Sequence, residues 1–326
     1  MPMRLSVLDQ SPISEGMTAA DALANSVDLA RFTEQLGYER YWVAEHHGTP
    51  MLACAAPEVL IAAIAARTAR IRVGSGGVML PHYSPVKVAE VFSMLAGLYG
   101  DRIDLGLGRA AGTDPMTTFA LQRDRRQASP DDFPQQLAEL LAYIENQMPP
   151  DHPFARLSLL PGRPGHPEVW LLGSSPQSGI WAAEAGLPYA FADFISPVGA
   201  PIVARYREEC SNPGVMVAST VICADTDAEA WRISASSRMA FMMMRQGQLI
   251  EVPPIDKALR YFEEEGLRHD ALPAGRRAII GAPEKVREGI EALAAEYGTD
   301  QVMIVTITYD HAARKRSYEL IAEAFR

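Results

Sequence analysis

Cysteine is scarce. The 326 residues hold only Cys54, Cys210 and Cys223, and none of them forms a CxxC pair. That argues against a disulfide scaffold or a zinc ribbon and suits the reducing cytoplasm. Basic clusters are missing too: no run of five or more Lys and Arg occurs, and the formal net charge is -10. Nucleic acid and anionic membrane surfaces are therefore not expected partners. No uninterrupted apolar run approaches the length of a membrane span. The opening MPMRLSVLDQSP has no long apolar core and no small-residue cleavage site, so it does not read as a signal peptide. A dinucleotide-binding GxGxxG turn is also lacking, because Gly106-Leu-Gly108-Arg-Ala-Ala-Gly112 has the wrong glycine spacing.

What is present is an ordinary globular composition, 48% hydrophobic and 21% charged. Short apolar runs alternate with amphipathic segments. Strands are expected at Leu5–Leu8, Tyr41–Ala44, Ile71–Leu80, Ile103–Leu107, Val169–Leu172, Tyr189–Ala192, Val215–Cys223 and Val302–Thr306. Helices fall between them. Thr18-Ala-Ala-Asp21 reads as a helix start and Gly37 as its stop. Pro57, Pro85 and Pro176 each suit a first helical position. Other helices are expected near Phe133–Ile144, Pro201–Glu209, from Asp227 into a methionine run, at Glu284–Glu296 and at the end of the chain. Insertions cover Ala110–Pro130 and Gly247–Arg277, and Met148–Pro167 is a proline-rich loop. Eight strands, each followed by a helix, predict an α/β fold of the (β/α)8 TIM-barrel type, with insertions at its C-terminal face. An open doubly wound sheet is the rival.

In such a barrel the C-terminal strand ends carry the chemistry. The second strand ends in "AEHHG", with Glu45, His46 and His47. Successive strand residues point to opposite sides, so the two imidazoles do not converge on one metal, and no HExxH spacing supplies a third ligand. One of the pair is expected to look into the barrel mouth, where imidazole suits proton transfer near neutral pH. Plain packing is the alternative. Glu45 either orients a neighbour or lies on the surface.

The segments "YWVAEHHG", "GSGGVMLPHYSPVKVAE", "LGLGRAAGTDP", "VWLLGSSPQSGIWAAEAGLPYAFA" and "IIGAPEKVREGIEALAAEYGTDQVMIVT" resemble the bacterial luciferase-like, flavin-dependent monooxygenases. The likeness is strongest to their single-chain oxidoreductase branch. It runs along nearly the whole chain and implies one barrel domain over residues 1–326. It further implies reduced FMN (FMNH2) as cofactor, delivered by a separate NAD(P)H flavin reductase, and a homodimer. The reaction implied is oxygenation of a small organic substrate by O2 through a flavin C4a-hydroperoxide, as hydroxylation or epoxidation. Deazaflavin-dependent hydride transfer, which luciferase-like barrels also perform, and flavin binding without turnover are the alternatives.

The resemblance assigns roles to individual residues. His46 falls where the family has a histidine near the reactive flavin edge, as proton handler, and His47 is expected to be structural. Gly76 and Gly77 fall where the family has a cis peptide beneath the flavin ring. Glycine inside a strand otherwise marks a bulge or a tight barrel corner. Ser174, Ser175 and Ser178 fall on the FMN phosphate motif, with Arg109 assisting. A helix N-terminus and a guanidinium both suit a phosphate, although simple capping by Ser175 and a surface arginine are the plain readings. His82 and Tyr83 stand at the same barrel face, touching flavin or substrate or only bracing a loop. Relatives commonly carry a histidine after strand six, where this chain reads Ala192-Asp193-Phe194-Ile195. Phe194 is a candidate for an apolar substrate wall, with core packing as the alternative. The methionines of "AFMMMRQG" are expected mostly in the core.

Overall fold

A computed structural model describes residues 3–109, 114–122, 126, 132–157 and 165–326. The described residues form nine parallel strands: β1 (Arg4–Asp9), β2 (Arg40–Val43), β3 (Arg72–Met79), β4 (Ile103–Gly108), β5 (Glu168–Gly173), β6 (Tyr189–Ala192), β7 (Val215–Cys223), β8 (Ala278–Gly281) and β9 (Gln301–Val305). Strands β1 to β7 pair in sequence order, and β9 joins β7 to β1, which closes an eight-stranded barrel. The doubly wound alternative is thereby excluded.

The ninth strand corrects the expected count. β7 is long enough to serve two partners. Val217–Thr220 pairs with β9 inside the ring, and Thr220–Cys223 pairs with β8 above it. β8 is four residues long and directly follows the second insertion, too short to announce itself by alternation. That insertion also contains a helix, Ile255–Glu264, and the first contains the helix Pro115–Leu121. Ala110–Thr113 and most of 123–130, parts of the first insertion, lie outside the described residues.

Local chemistry accounts for the helix boundaries. Thr18 Oγ1 accepts from the Asp21 main-chain N–H, while the Asp21 carboxylate accepts from the Thr18 N–H, a reciprocal cap. Gly37 ends that helix at φ 91°, a left-handed conformation that favours glycine.

Strand alternation sorts the core into two layers. Tyr41 and Val43 point outward, where they pack under the helices with Val7, Val73, Leu105, Leu107 and Phe191. Trp42 and Ala44 point inward with Leu8, Trp170, Met216 and Met303. The inward positions are graded in size. At the N-terminal end Arg40, Arg72, Asp104 and Glu168 form an ion cluster. Trp42 and Trp170 meet edge to face above it, with ring centroids 5.6 Å apart. Toward the C-terminal end small residues, Ala44, Gly76, Gly108, Ala190, Ala192 and Ala218, leave room for a cavity that larger apolar side chains such as Leu172 and Phe194 also line. The barrel is therefore plugged at one end and hollow at the other. No helix among the described residues is long and apolar enough to cross a membrane.

Candidate active site

The hollow end is a cavity of about 860 Å³. His46, His47, Gly76, Gly77, Arg109, Ser174, Ser175, Ser178 and Phe194 all line it. Residues far apart in sequence thus meet at one rim because parallel strands deliver their C-terminal ends to the same side.

His46 enters the wall just beyond β2, its main-chain N–H donating to the Cys54 carbonyl at 2.8 Å. Its Nδ1 is buried and has no hydrogen-bond partner among the described residues. Burial first, and then His47, pull its pKa down to about 4, so the ring is neutral at pH 7. A neutral imidazole offers one donor and one acceptor nitrogen, so this ring can accept a proton from a group in the cavity.

Glu45 is the residue that sequence reasoning undervalued. Of its two expected settings, the surface one is overturned: Glu45 is buried. Its Oε1 accepts from the Tyr83 hydroxyl at 2.8 Å and pairs with His47 Nε2 at 2.8 Å, and its Oε2 accepts from the Met79 N–H at 2.9 Å. One carboxylate thus ties the loop after β2 to the end of β3. His47 belongs to this brace. His82 does not line the cavity; its ring stands edge-on to His47, with centroids 6.3 Å apart, in the short turn Leu80–His82. Exchanging Glu45 for Gln is expected to destabilise the fold by about 1–3 kcal/mol, because an amide turns one acceptor into a donor facing an N–H or a hydroxyl. Urea unfolding checks this, and an unchanged midpoint would disprove the bracing role.

Gly76 and Gly77 are joined by a cis peptide bond. The β3–β4 register shifts between Gly76 and Val78, so Gly77 has no partner in the ladder. A Cβ on Gly77 would lie 2.7 Å from the Gly106 carbonyl oxygen, and one on Gly76 would lie 2.5 Å from Leu8 Cδ1. The main-chain contact requires glycine at 77, whereas at 76 the flexible Leu8 side chain could give way; together the two glycines leave the cavity a bare main-chain ledge.

Across the rim, β5 runs into the helix Pro176–Glu184. Ser175 caps it weakly, its Oγ 3.4 Å from the Ser178 N–H. The Ser178 hydroxyl donates to the Ser175 carbonyl at 2.7 Å and meets the Tyr189 hydroxyl at 2.8 Å. Ser178 is thus a buried part of the turn, whereas Ser174 is half-buried and Ser175 exposed. Arg109 is exposed just past β4, its guanidinium over the Trp181 ring at 5.4 Å. Sequence reasoning did not single out Trp181.

After β6, Phe194 lies on the cavity wall, packed against the inner core. Asp193 is buried, bonded to Arg277, Ser219 and Tyr297. Met244 lines the cavity, whereas Met242 and Met243 pack against the cluster around Phe262. Arg238, Arg276 and Arg277 also reach the cavity. The last two close the second insertion, past its helix, where no sequence signal marked them. Among the described residues no three His, Cys, Asp or Glu side chains gather as a metal site.

A family model for luciferase-like monooxygenases matches residues 3–301. The luciferase-like monooxygenase of Escherichia coli strain K12 is 38% identical, over 97% of this chain and 95% of its own length. The N-acetyl-S-alkylcysteine monooxygenase of Bacillus subtilis is 36% identical, over 99% of this chain and 98% of its own. The crystal structure of apo-MsnO8 has a TM-score of 0.90 at 41% identity, covering 99% of this chain and 98% of that one. The chain belongs to the luciferase-like monooxygenase family.

Proposed function

We propose that this chain is the oxygenating component of a two-component system that uses reduced FMN and O2 to hydroxylate or epoxidise a small organic substrate. The observation that carries the reading is the meeting of His46, the Gly76–Gly77 ledge, Arg109 and the Ser174–Ser175 turn around one cavity.

The cavity residues fit the cofactor. A flat ring needs a wall without side chains, and Gly76, Gly77, Gly108 and Ala44 leave one. A ring edge needs a polar neighbour, and the imidazole of His46, part of the cavity wall, offers one. A phosphate needs donors at the rim, and Arg109 with the helix start at Pro176 supplies them. Ser174 and Ser175 offer hydroxyls there, and Ser178 mainly shapes the turn. The volume, about 860 Å³, lies within the usual range for ligand sites.

When bound, the flavin supplies the two electrons that activate O2, with one oxygen atom going to the substrate and the other to water. The chain does the rest. His46 holds or moves a proton at the imidazole nitrogen open to the cavity. Leu8, Leu172, Phe194, Met303 and Val305 keep the cavity walls apolar, which excludes water from the reaction. Trp42 and the ion cluster below close the floor. A separate NAD(P)H flavin reductase and a homodimer are parts of the same proposal, as are a cytoplasmic location and one domain over residues 1–326. Exposed Val59, Met94 and Leu98, on neighbouring helices, are candidates for the dimer face.

Substituting Ala for Arg109 is expected to weaken FMN binding by about tenfold or more, the worth of one charge-assisted bond, with little effect on riboflavin, which has no phosphate. Fluorescence titration of both flavins checks this; equal losses for the two would remove Arg109 from the phosphate site. For the reaction, the protein is supplied with a flavin reductase, NADH and 18O2, and candidate substrates are screened for one labelled oxygen. Oxygen-independent turnover with a deazaflavin would instead establish hydride transfer and overturn the proposal.

A further inference from the structure

The cavity is unevenly charged. On the strand-two side its acids are engaged: Glu45 in its brace, and Asp114, which is exposed and accepts from the Met116 and Thr117 N–H groups at the start of the helix Pro115–Leu121. On the opposite side three arginines reach the cavity. Arg277 is neutralised by Asp193 and Glu296. Arg238 is buried between Trp231 and Phe262, and its N–H groups go to the Ser234 hydroxyl and to the carbonyls of Ala271 and Trp231.

Arg276 differs from both. It is half-buried, and Nη1 donates to the Phe194 carbonyl at 2.5 Å. No carboxylate among the described residues pairs with it, and the charge that acts on it is another cation, Arg245. Its surroundings are apolar: Phe194, Ile195, Leu272 and Pro273 line the same part of the cavity, and Met244, Leu249 and Ile250 continue the wall. A guanidinium held among apolar groups without a counter-ion is costly unless an anion arrives from outside. Its planar fork matches a carboxylate.

We propose that Arg276 is the anchor for an anionic head group, and that the cavity takes a carboxylate-bearing substrate with an apolar tail lying along Met244, Leu249 and Ile250. The name "substrate" rests on the oxygenase reading above, whereas the binding site does not. A site for the flavin phosphate is the competing explanation for a rim arginine, but the phosphate donors lie at the β5 end, and Arg276 touches the loop after β6.

The test is equilibrium binding without turnover. Octanoate and octanamide, alike in length and differing in charge, are titrated calorimetrically into the full chain with and without saturating oxidised FMN. The wild type is expected to bind octanoate about tenfold more tightly than octanamide, with FMN present as well as absent. Arg276→Gln is expected to erase the preference while binding FMN as the wild type does, and Arg276→Lys to keep part of it. Equal affinities for acid and amide in the wild type overturn the proposal, as does a preference that survives in Arg276→Gln. Displacement of octanoate by FMN or by inorganic phosphate also overturns it, because the carboxylate then occupies the phosphate site. Should Arg276→Gln not fold, the acid–amide contrast and the FMN competition decide alone. A chain that prefers octanoate yet oxygenates nothing would refute the proposed reaction and leave this site standing.

Discussion

Replacing His46 by Ala is expected to lower the rate of oxygenated product by about 10²–10⁴-fold, the usual worth of a positioned acid or base. Flavin affinity should change little, since the phosphate and the ledge carry binding. The readout is product formed per O2 consumed, with peroxide measured beside it; unchanged coupling would remove the proton role. His46 also predicts a pH effect on stability. Its folded pKa, about 4, lies below the ordinary 6.5. Between those values the unfolded chain binds a proton that the folded chain does not, so stability rises with pH there. The contribution is complete above about pH 6.5 and disappears as pH falls toward 4, a change of about 2–3 kcal/mol. His46→Ala should therefore unfold with a shallower pH dependence across that window. Parallel wild-type and variant profiles would show that the imidazole is not held neutral. Over about pH 6 to 8 His46 keeps one charge state, so an activity transition there belongs to another group.

Replacing Asp104 by Ala is expected to cost the fold about 3–5 kcal/mol. Asp104 is fully buried beneath the cavity. It accepts from Arg40 Nη1 at 2.7 Å, from Arg72 Nε at 2.9 Å and Nη2 at 2.5 Å, and from Trp42 Nε1 at 2.8 Å. Removing the carboxylate leaves two guanidinium groups and an indole N–H at the barrel's closed end, with the half-buried Glu168 as the remaining acid of the cluster. Against a typical total of about 5–15 kcal/mol, that loss lowers the unfolding midpoint steeply. Chemical denaturation measures it. A loss below about 1 kcal/mol would mean that the cluster is hydrated and does not seal the floor. Because Trp42 also lines the cavity, weaker flavin binding should accompany the loss.

The long strands and the helices between them were legible because their signals are local. The apolar run Tyr41–Ala44, the prolines at helix starts and Gly37 at a helix end each act within a few residues. The HH pair was legible as a feature of the β2 end, but alternation predicted one ring in the cavity and both line it, His47 also joining the Glu45 brace. β8 was not legible, because four residues pairing with the spare end of β7 have no periodicity of their own. The helix Ile255–Glu264 carried a clear helical period, Ile255, Ala258, Leu259 and Phe262 on one face, which the reading of the segment as an insertion passed over.

By itself the sequence determined the alternation of strands and helices, the motifs of the luciferase-like family and the candidate residues at each strand end. Only the tertiary structure decided that Glu45 is a buried brace, that Gly77 faces the Gly106 carbonyl too closely for a side chain, that His82 stands behind His47, and that Arg276 lacks an acidic partner among the described residues. The reason is physical. Propensity and capping act between neighbours in the chain, but burial, counter-ions and steric clearance depend on what other strands bring to the same place.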